Sequence, residues 1–286
     1  MTAVPPRSYL YVPGNARDKL AKASGRGADA LMLDLEDAVP LAEKQAARDQ
    51  AVDFIGGQQP GGIELWVRVN PGDLGQDDIR ALVGSRALSG LALAKADSAA
   101  VVADAAGLLD SLGDDRLMLM PMVESAAALL DVNGIARAPR VRQIQIGEVD
   151  LTSDLGLDPA DDEVELVAIR TSVVVASRGA GIRPPVGPVS RITRDPAALE
   201  ASTRRLARLG FIGRMCIHVA QIEVVHAVFT PSVEDVWQAH EVVRLLHDAE
   251  ARGAGVVLDG AGRLIDAAVL GAARRTLEMA ARAGIA

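Results

Sequence analysis

Carboxylates gather where the apolar runs of this chain end. In Leu33-Asp34-Leu35-Glu36-Asp37, strand alternation puts Asp34 and Glu36 on one face. Two carboxylates on one face repel unless a cation stands near them; the alternative is the start of a solvated loop. Leu117-Met-Leu-Met-Pro-Met-Val-Glu124 is a nearly unbroken apolar run closed by one carboxylate, and Ile144-Gln-Ile-Gly147-Glu148-Val-Asp150 closes another, with Gly147 permitting close approach of a ligand. If Glu124 and Asp150 lie on adjacent strand ends, they suit a hard divalent cation that keeps positions open for water and substrate oxygens. A metal-free acid/base pair is the second reading, and helix N-caps are the third.

Cations accompany these acids. Arg68 and Asn70 project together from Trp66-Val-Arg68-Val-Asn70, and an Arg amid a buried strand needs an anion, either a substrate carboxylate or Glu36. Of 30 basic residues only Lys19, Lys22, Lys44 and Lys95 are lysines, so Lys95 at the end of an apolar run departs from the chain's own habit. It reads as a Schiff-base lysine, a carboxylate binder or a surface residue. Cys216 and His218 share a face, yet with no third group to orient them they read as a buried thiol and a core histidine. His240-Glu-Val-Val-Arg244 lacks the second histidine of a zincin, and Gly179-Ala-Gly181-Ile-Arg-Pro184 loses the third glycine of a dinucleotide fingerprint.

The elements that must position these residues recur. Eight short aliphatic runs, 8–12, 30–35, 64–69, 90–94, 117–123, 141–146, 181–186 and 211–217, start about 29 residues apart on average. That is the length of a strand, a loop and a helix, and eight such units predict a (β/α)8 TIM barrel over residues 1–230 with function at the C-terminal strand ends. Residues 231–286 predict a C-terminal helical extension packing on the barrel or a neighbouring subunit. It comprises a helix opened by Ser232-Val-Glu-Asp235, a hairpin turn at Asp259-Gly260, and a last helix whose N-cap is Asp266.

The 286 residues are 49% hydrophobic with 24% charged and a net charge of −8, a composition that excludes general disorder and a basic nucleic-acid or membrane coat. Aromatics at 2% offer few stacking platforms for bases. Neither a membrane span nor a signal peptide is expected, and one cysteine suits a reducing cytoplasmic setting.

Taken in order, Arg7-Ser-Tyr-Leu-Tyr-Val-Pro-Gly-Asn15, Leu33-Asp-Leu-Glu-Asp37, Val67-Arg-Val-Asn70, Lys95-Ala-Asp-Ser98, Met122-Val-Glu-Ser125, Gly147-Glu-Val-Asp-Leu151, Gly213-Arg-Met-Cys-Ile-His218 and Arg263-Leu-Ile-Asp-Ala-Ala-Val-Leu270 resemble the citrate lyase β-subunit-like branch of the HpcH/HpaI aldolase/citrate lyase family. The resemblance covers almost the whole chain. It implies a TIM barrel assembling as a trimer or hexamer, and a Mg²⁺-dependent carbon-carbon lyase. The reaction implied cleaves a short 3-hydroxyacyl-CoA of citramalyl-CoA, malyl-CoA or citryl-CoA type to acetyl-CoA and a 2-keto acid.

By position, the resemblance implies Glu124 and Asp150 as Mg²⁺ ligands and Arg68 as the group binding the substrate carboxylate or the thioester oxygen. Glu36 and Asp37 would line the mouth and orient Arg68, and Asp266 would reach the site from a neighbouring subunit as general acid. Gly147, Glu148 and Lys95 would contact substrate, with Asn15, Arg7 and Lys22 near the coenzyme A moiety. The chain departs from the family at Ala94 and Val219, and at Arg183-Pro-Pro-Val-Gly-Pro188, where an aspartate is usual. Alternatives are a β subunit active only with an acyl-carrier partner in a citrate lyase complex, a malyl-CoA thioesterase, or an aldolase acting on free keto acids. The metal-enolate chemistry needs no Schiff base, so borohydride with substrate is expected to leave Lys95 unlabelled; stoichiometric trapping would overturn it.

Overall fold

The computed structural model describes residues 5–285. They form two compact units, residues 5–226 and 227–285. The first unit alternates β1 (Ser8–Pro13), α1 (Arg17–Ala23), β2 (Ala30–Asp34), α2 (Lys44–Gly56), β3 (Glu64–Val69), α3 (Gly72–Leu82), β4 (Leu88–Leu93), α4 (Ala99–Ser111) and β5 (Met118–Val123). It continues through α5 (Ala126–Leu130), α6 (Val132–Arg137), β6 (Gln145–Ile146), α7 (Glu148–Leu155), α8 (Val167–Gly179), α9 (Pro196–Leu209), β7 (Arg214–Cys216) and the start of α10 (Ala220–Phe229). The strands build one curled parallel sheet in the order β6-β5-β4-β3-β2-β1-β7.

Strands buried on both faces need apolar side chains at nearly every position, which is why they read as continuous aliphatic runs. Tyr9, Ala30, Met32, Trp66, Ala92, Met120, Met122, Val186 and Met215 form one buried cluster. On β1, β2, β3 and β5 these are every second residue, so the same row continues to Tyr11, Asp34, Arg68 and Glu124 at the C-terminal strand ends. The face that supplies the core therefore also supplies the chemistry. The register agrees, with Pro13 opposite Asp34 and Asp34 opposite Arg68.

The expected strand 181–186 does not form, and the observed sheet has seven strands rather than eight. Val186 and Gly187 make only isolated parallel bridges, to Gln145 of β6 and Arg214 of β7. Pro184, Pro185 and Pro188 carry no backbone N–H, so a continuous ladder cannot propagate; scattered bonds remain, among them Arg183 N–H to Arg142 O at 2.9 Å, Val186 N–H to Ile144 O at 2.9 Å and Gly187 N–H to Gly213 O at 2.9 Å.

In the second unit α11 (Val233–Ala251) opens with a capping box of Ser232 and Asp235, as expected from the sequence. The antiparallel hairpin of β8 (Val257–Leu258) and β9 (Leu264–Ile265) leads to α12 (Ala267–Arg282). Asp266 is its N-cap, accepting from Ala268 N and Val269 N. No helix among the described residues is long and apolar enough to cross a membrane.

Trp66 fits the interior because Gly90 lies beside it: a Cβ at position 90 would stand 2.5 Å from Trp66 Cζ3 and 2.3 Å from Met118 O. Gly90→Ala is expected to lower the unfolding free energy by about 1–3 kcal/mol in urea titration, an overpacking cost.

Candidate active site

The turn after β2 is held from beneath. Lys44 Nζ donates to Leu35 O and Glu36 O, both at 2.7 Å, and Asn70 Nδ2 donates to Leu35 O at 2.9 Å. Asp78, fully buried, accepts from Asn70 N at 2.9 Å and Arg48 Nε at 2.7 Å, which fixes the end of β3 against α2 and α3. The backbone N–H groups of Glu36 and Ala38 turn back onto the Asp34 carboxylate at 2.9 and 3.2 Å. An acidic pentapeptide that could have been a solvated loop is thereby made rigid.

Arg68 fills the space these acids enclose. Its Nε and Nη2 fork onto the two oxygens of Asp34, each at 2.7 Å, and Nη1 reaches Glu36 Oε2 at 3.0 Å and Asp37 Oδ2 at 3.4 Å. Its guanidinium lies 5.1 Å from the centre of the Tyr11 ring, and Tyr11 pairs with Gln145, which donates to its hydroxyl at 2.9 Å. Burial opposes the Arg68 charge, but the Asp34 hydrogen bond and the fields of Tyr11, Asp34 and Glu36 outweigh it and raise its pKa. Burial likewise raises Tyr11 far above an ordinary phenol, and raises Glu36 against the pull of Arg68.

Glu124 follows β5 on the same interior face. Burial pushes its carboxyl up to about 7, against the Lys95 backbone N–H, which donates to Oε2 at 3.0 Å, and the field of Arg68. Gly147 is the N-cap of α7, and a Cβ there would lie 2.6 Å from Glu124 Oε1, so only glycine leaves the carboxylate its place. Asp150 sits exposed in the first turn of α7. Lys95 holds a left-handed φ of 52° while its Nζ lies 3.2 Å from Glu36 Oε1.

Arg68 and Lys95 pair with Asp34, Glu36 and Asp37, and Glu124 and Asp150 add to the negative charge beside them, which attracts a cation. No set of three His, Cys, Asp or Glu side chains among the described residues is arranged to hold a metal. Two carboxylates such as Glu124 and Asp150 suit a hard cation that completes its shell with water and substrate oxygens, as Mg²⁺ does.

A cavity of about 670 Å³ opens over this cluster. Asp34, Asp37, Arg68, Glu124, Gly147, Glu148 and Asp150 line it, together with His218 and with three residues given no role from the sequence, Tyr11, Lys19 and Arg26. Tyr11 was legible as the next interior position after Tyr9. His218 is exposed at the cavity wall instead of being a core histidine, because β7 ends at Cys216; its Nδ1 accepts from Ala220 N at 3.1 Å. Cys216 is buried, with its thiol pushed up to about 12, so it is no nucleophile.

Several expected contacts go elsewhere. Glu148 spends both oxygens on buried Arg170, at 2.6 and 2.8 Å, and Arg170 also pairs with Glu163 at 2.6 Å. Arg7 precedes β1, at the opposite ends of the strands, where it forks onto Asp29 at 2.9 and 3.1 Å. Asn15 Nδ2 donates to Glu43 at 2.6 Å, and Lys22 is exposed on α1, whose Lys19 and Ala23 line the cavity in its place. Asp266 belongs to the second unit.

Residues 7–219 match the family HpcH/HpaI aldolase/citrate lyase. The chain belongs to this family. It is 34% identical over 281 residues to a (3S)-malyl-CoA thioesterase of Cereibacter sphaeroides, covering 97% of this chain and 95% of that one. It is 30% identical over 283 residues to citrate lyase subunit beta of Leuconostoc mesenteroides, covering 96% and 93%. The crystal structure of protein CitE from Mycobacterium tuberculosis in complex with magnesium, acetoacetate and coenzyme A superposes with a TM-score of 0.79 at 27% identity, covering 98% of this chain and 99% of that one.

Gly147→Ala is expected to weaken Mg²⁺ binding roughly 10- to 100-fold in calorimetry by displacing Glu124, while leaving the far-ultraviolet circular dichroism unchanged.

Proposed function

We propose that this member of the HpcH/HpaI aldolase/citrate lyase family is a Mg²⁺-dependent lyase that cleaves a short 3-hydroxyacyl-CoA of citramalyl-CoA, malyl-CoA or citryl-CoA type to acetyl-CoA and a 2-keto acid. The observation that carries the reading is the pair Glu124 and Asp150 across Gly147, beside an Arg68 caged by carboxylates, in one cavity of about 670 Å³. The magnesium, acetoacetate and coenzyme A of the Mycobacterium tuberculosis relative support it.

Cleavage breaks the bond between C2 and C3: the 3-hydroxyl loses its proton, the electron pair moves onto C2 as the thioester enolate, and C2 then takes up a proton. Glu124 and Asp150 hold the cation, which supplies the Lewis acidity that lowers the hydroxyl pKa. Arg68 stabilises the charge on the thioester oxygen, a contribution of a few kcal/mol in comparable sites. Asp34, Glu36 and Asp37 prevent the guanidinium from reorienting, so no reorganisation is needed as charge develops. Exposed Lys19 and Arg26 on the cavity wall meet the phosphates of coenzyme A. Asp266 of a second copy of the chain protonates C2 in an oligomer; both of its capping bonds use Oδ1, which leaves Oδ2 for that role.

A thioesterase is the second reading, favoured by the 34% identity to the Cereibacter sphaeroides relative. Malyl-CoA, citramalyl-CoA and citryl-CoA, each assayed with Mg²⁺ and with EDTA, separate the two. Keto acid released only with Mg²⁺ is the expected outcome. Free thiol without keto acid would establish the thioesterase, and turnover only after addition of an acyl-carrier protein would make the chain a complex subunit.

A further inference from the structure

The substrate proposed above carries a free carboxylate that leaves with the 2-keto acid, and it needs a cationic partner. Arg68 is badly placed to be that partner. Three of its N–H groups are hydrogen-bonded, two to Asp34 and one to Asp37, and Glu36 Oε2 pairs with Nη1 at 3.0 Å, so three carboxylates already crowd the guanidinium. A fourth carboxylate would be repelled by those three, whereas the uncharged thioester oxygen would not. Lys44 is equally committed, to Leu35 O and Glu36 O.

Lys95 is free in the sense that matters. Its side chain is 49% exposed and its ammonium makes one hydrogen bond, to Glu36, leaving two N–H groups without a partner among the described residues. The ammonium also lies in the fields of Asp37 and Asp150, two residues that line the cavity. Its own backbone N–H bonds Glu124, so the residue is anchored beside Glu124 by its main chain while its side chain is half exposed. The left-handed φ of 52° is a conformation that a lysine adopts only when its surroundings impose it.

We infer that Lys95 is the residue that receives the substrate's free carboxylate, turning its ammonium from Glu36 toward the incoming anion, and that Arg68 serves only the thioester oxygen. The inference rests on the lyase reading. Lys95 is here a binding group that touches substrate, with no covalent step. A replacement other than proline at position 95 keeps the backbone N–H that bonds Glu124, so the cation site and the carboxylate site are separable by mutation.

The experiment is calorimetric titration of pyruvate and of glyoxylate into the Mg²⁺-loaded full chain, with Mg²⁺ binding measured separately. The proteins compared are wild type, Lys95→Met, Lys95→Arg and Lys19→Met. Lys95→Met should lose keto-acid affinity roughly 10- to 100-fold, the range for a charge-assisted hydrogen bond, while binding Mg²⁺ at least as tightly because a nearby positive charge is gone. Lys95→Arg should retain affinity to within about tenfold, since the charge remains. Keto-acid binding unchanged in Lys95→Met, or lost instead in Lys19→Met, overturns the assignment even if the wild type cleaves the thioesters. Joint loss of Mg²⁺ and keto-acid binding in both Lys95 variants also overturns it, by showing a structural role. A wild type that cleaves no thioester and binds neither keto acid removes the lyase reading, and the inference with it.

Discussion

The fork between Arg68 and Asp34 is the interaction on which the rest of the site depends. Both side chains are buried at the ends of paired strands, and breaking such a pair from one side leaves an uncompensated charge at a cost of about 3–5 kcal/mol. The pair remains because its surplus is negative: Glu36 and Asp37 add two carboxylates around the same guanidinium. Lys95 answers part of that charge, and the remainder makes the neighbouring Glu124 and Asp150 an attractive place for a divalent cation.

The arrangement also explains why so few aromatic residues suffice. Trp66, Tyr9 and four methionines fill the interior beneath the site, and Tyr11, the next residue on that face, turns its ring toward Arg68. Methionine adapts to irregular space, so packing inside the curled sheet tolerates a polar layer directly above it. Glycine appears where that layer needs room: Gly90 admits Trp66 and Gly147 admits the Glu124 carboxylate.

Membership of the HpcH/HpaI aldolase/citrate lyase family does not choose among the family's reactions. A thioesterase and a lyase subunit are matched at 34% and 30% identity over nearly the whole chain. The reactions differ in which bond of the bound thioester breaks: the C2–C3 bond, to give an enolate that is then protonated, or the bond to sulfur, after attack of water on the carbonyl carbon.

Much of this was local and therefore legible. Alternation with period two already placed Asp34 with Glu36, and Ser232 and Asp266 announced their helices because a cap needs only its next three residues, whereas Asn70, expected to project with Arg68, bonds Leu35 O and Asp78 instead. The failure of the strand expected at 181–186 was also local, in Pro184 and Pro185 within it and Pro188 just after, but was outweighed by the regular spacing of the runs around it. What the sequence could not rank was competition for charge. Glu148 and Asp150 stand two residues apart with the same chemistry, yet Arg170, 22 residues from Glu148 along the chain, claims the first and leaves the second exposed to the cavity. Arg7 carries the same charge as Arg68 but lies at the other end of the strands, beside Asp29. Residue type and spacing determined which groups could ionise and which face each would take; the fold decided which partner each met, because ion pairing depends on distance in space.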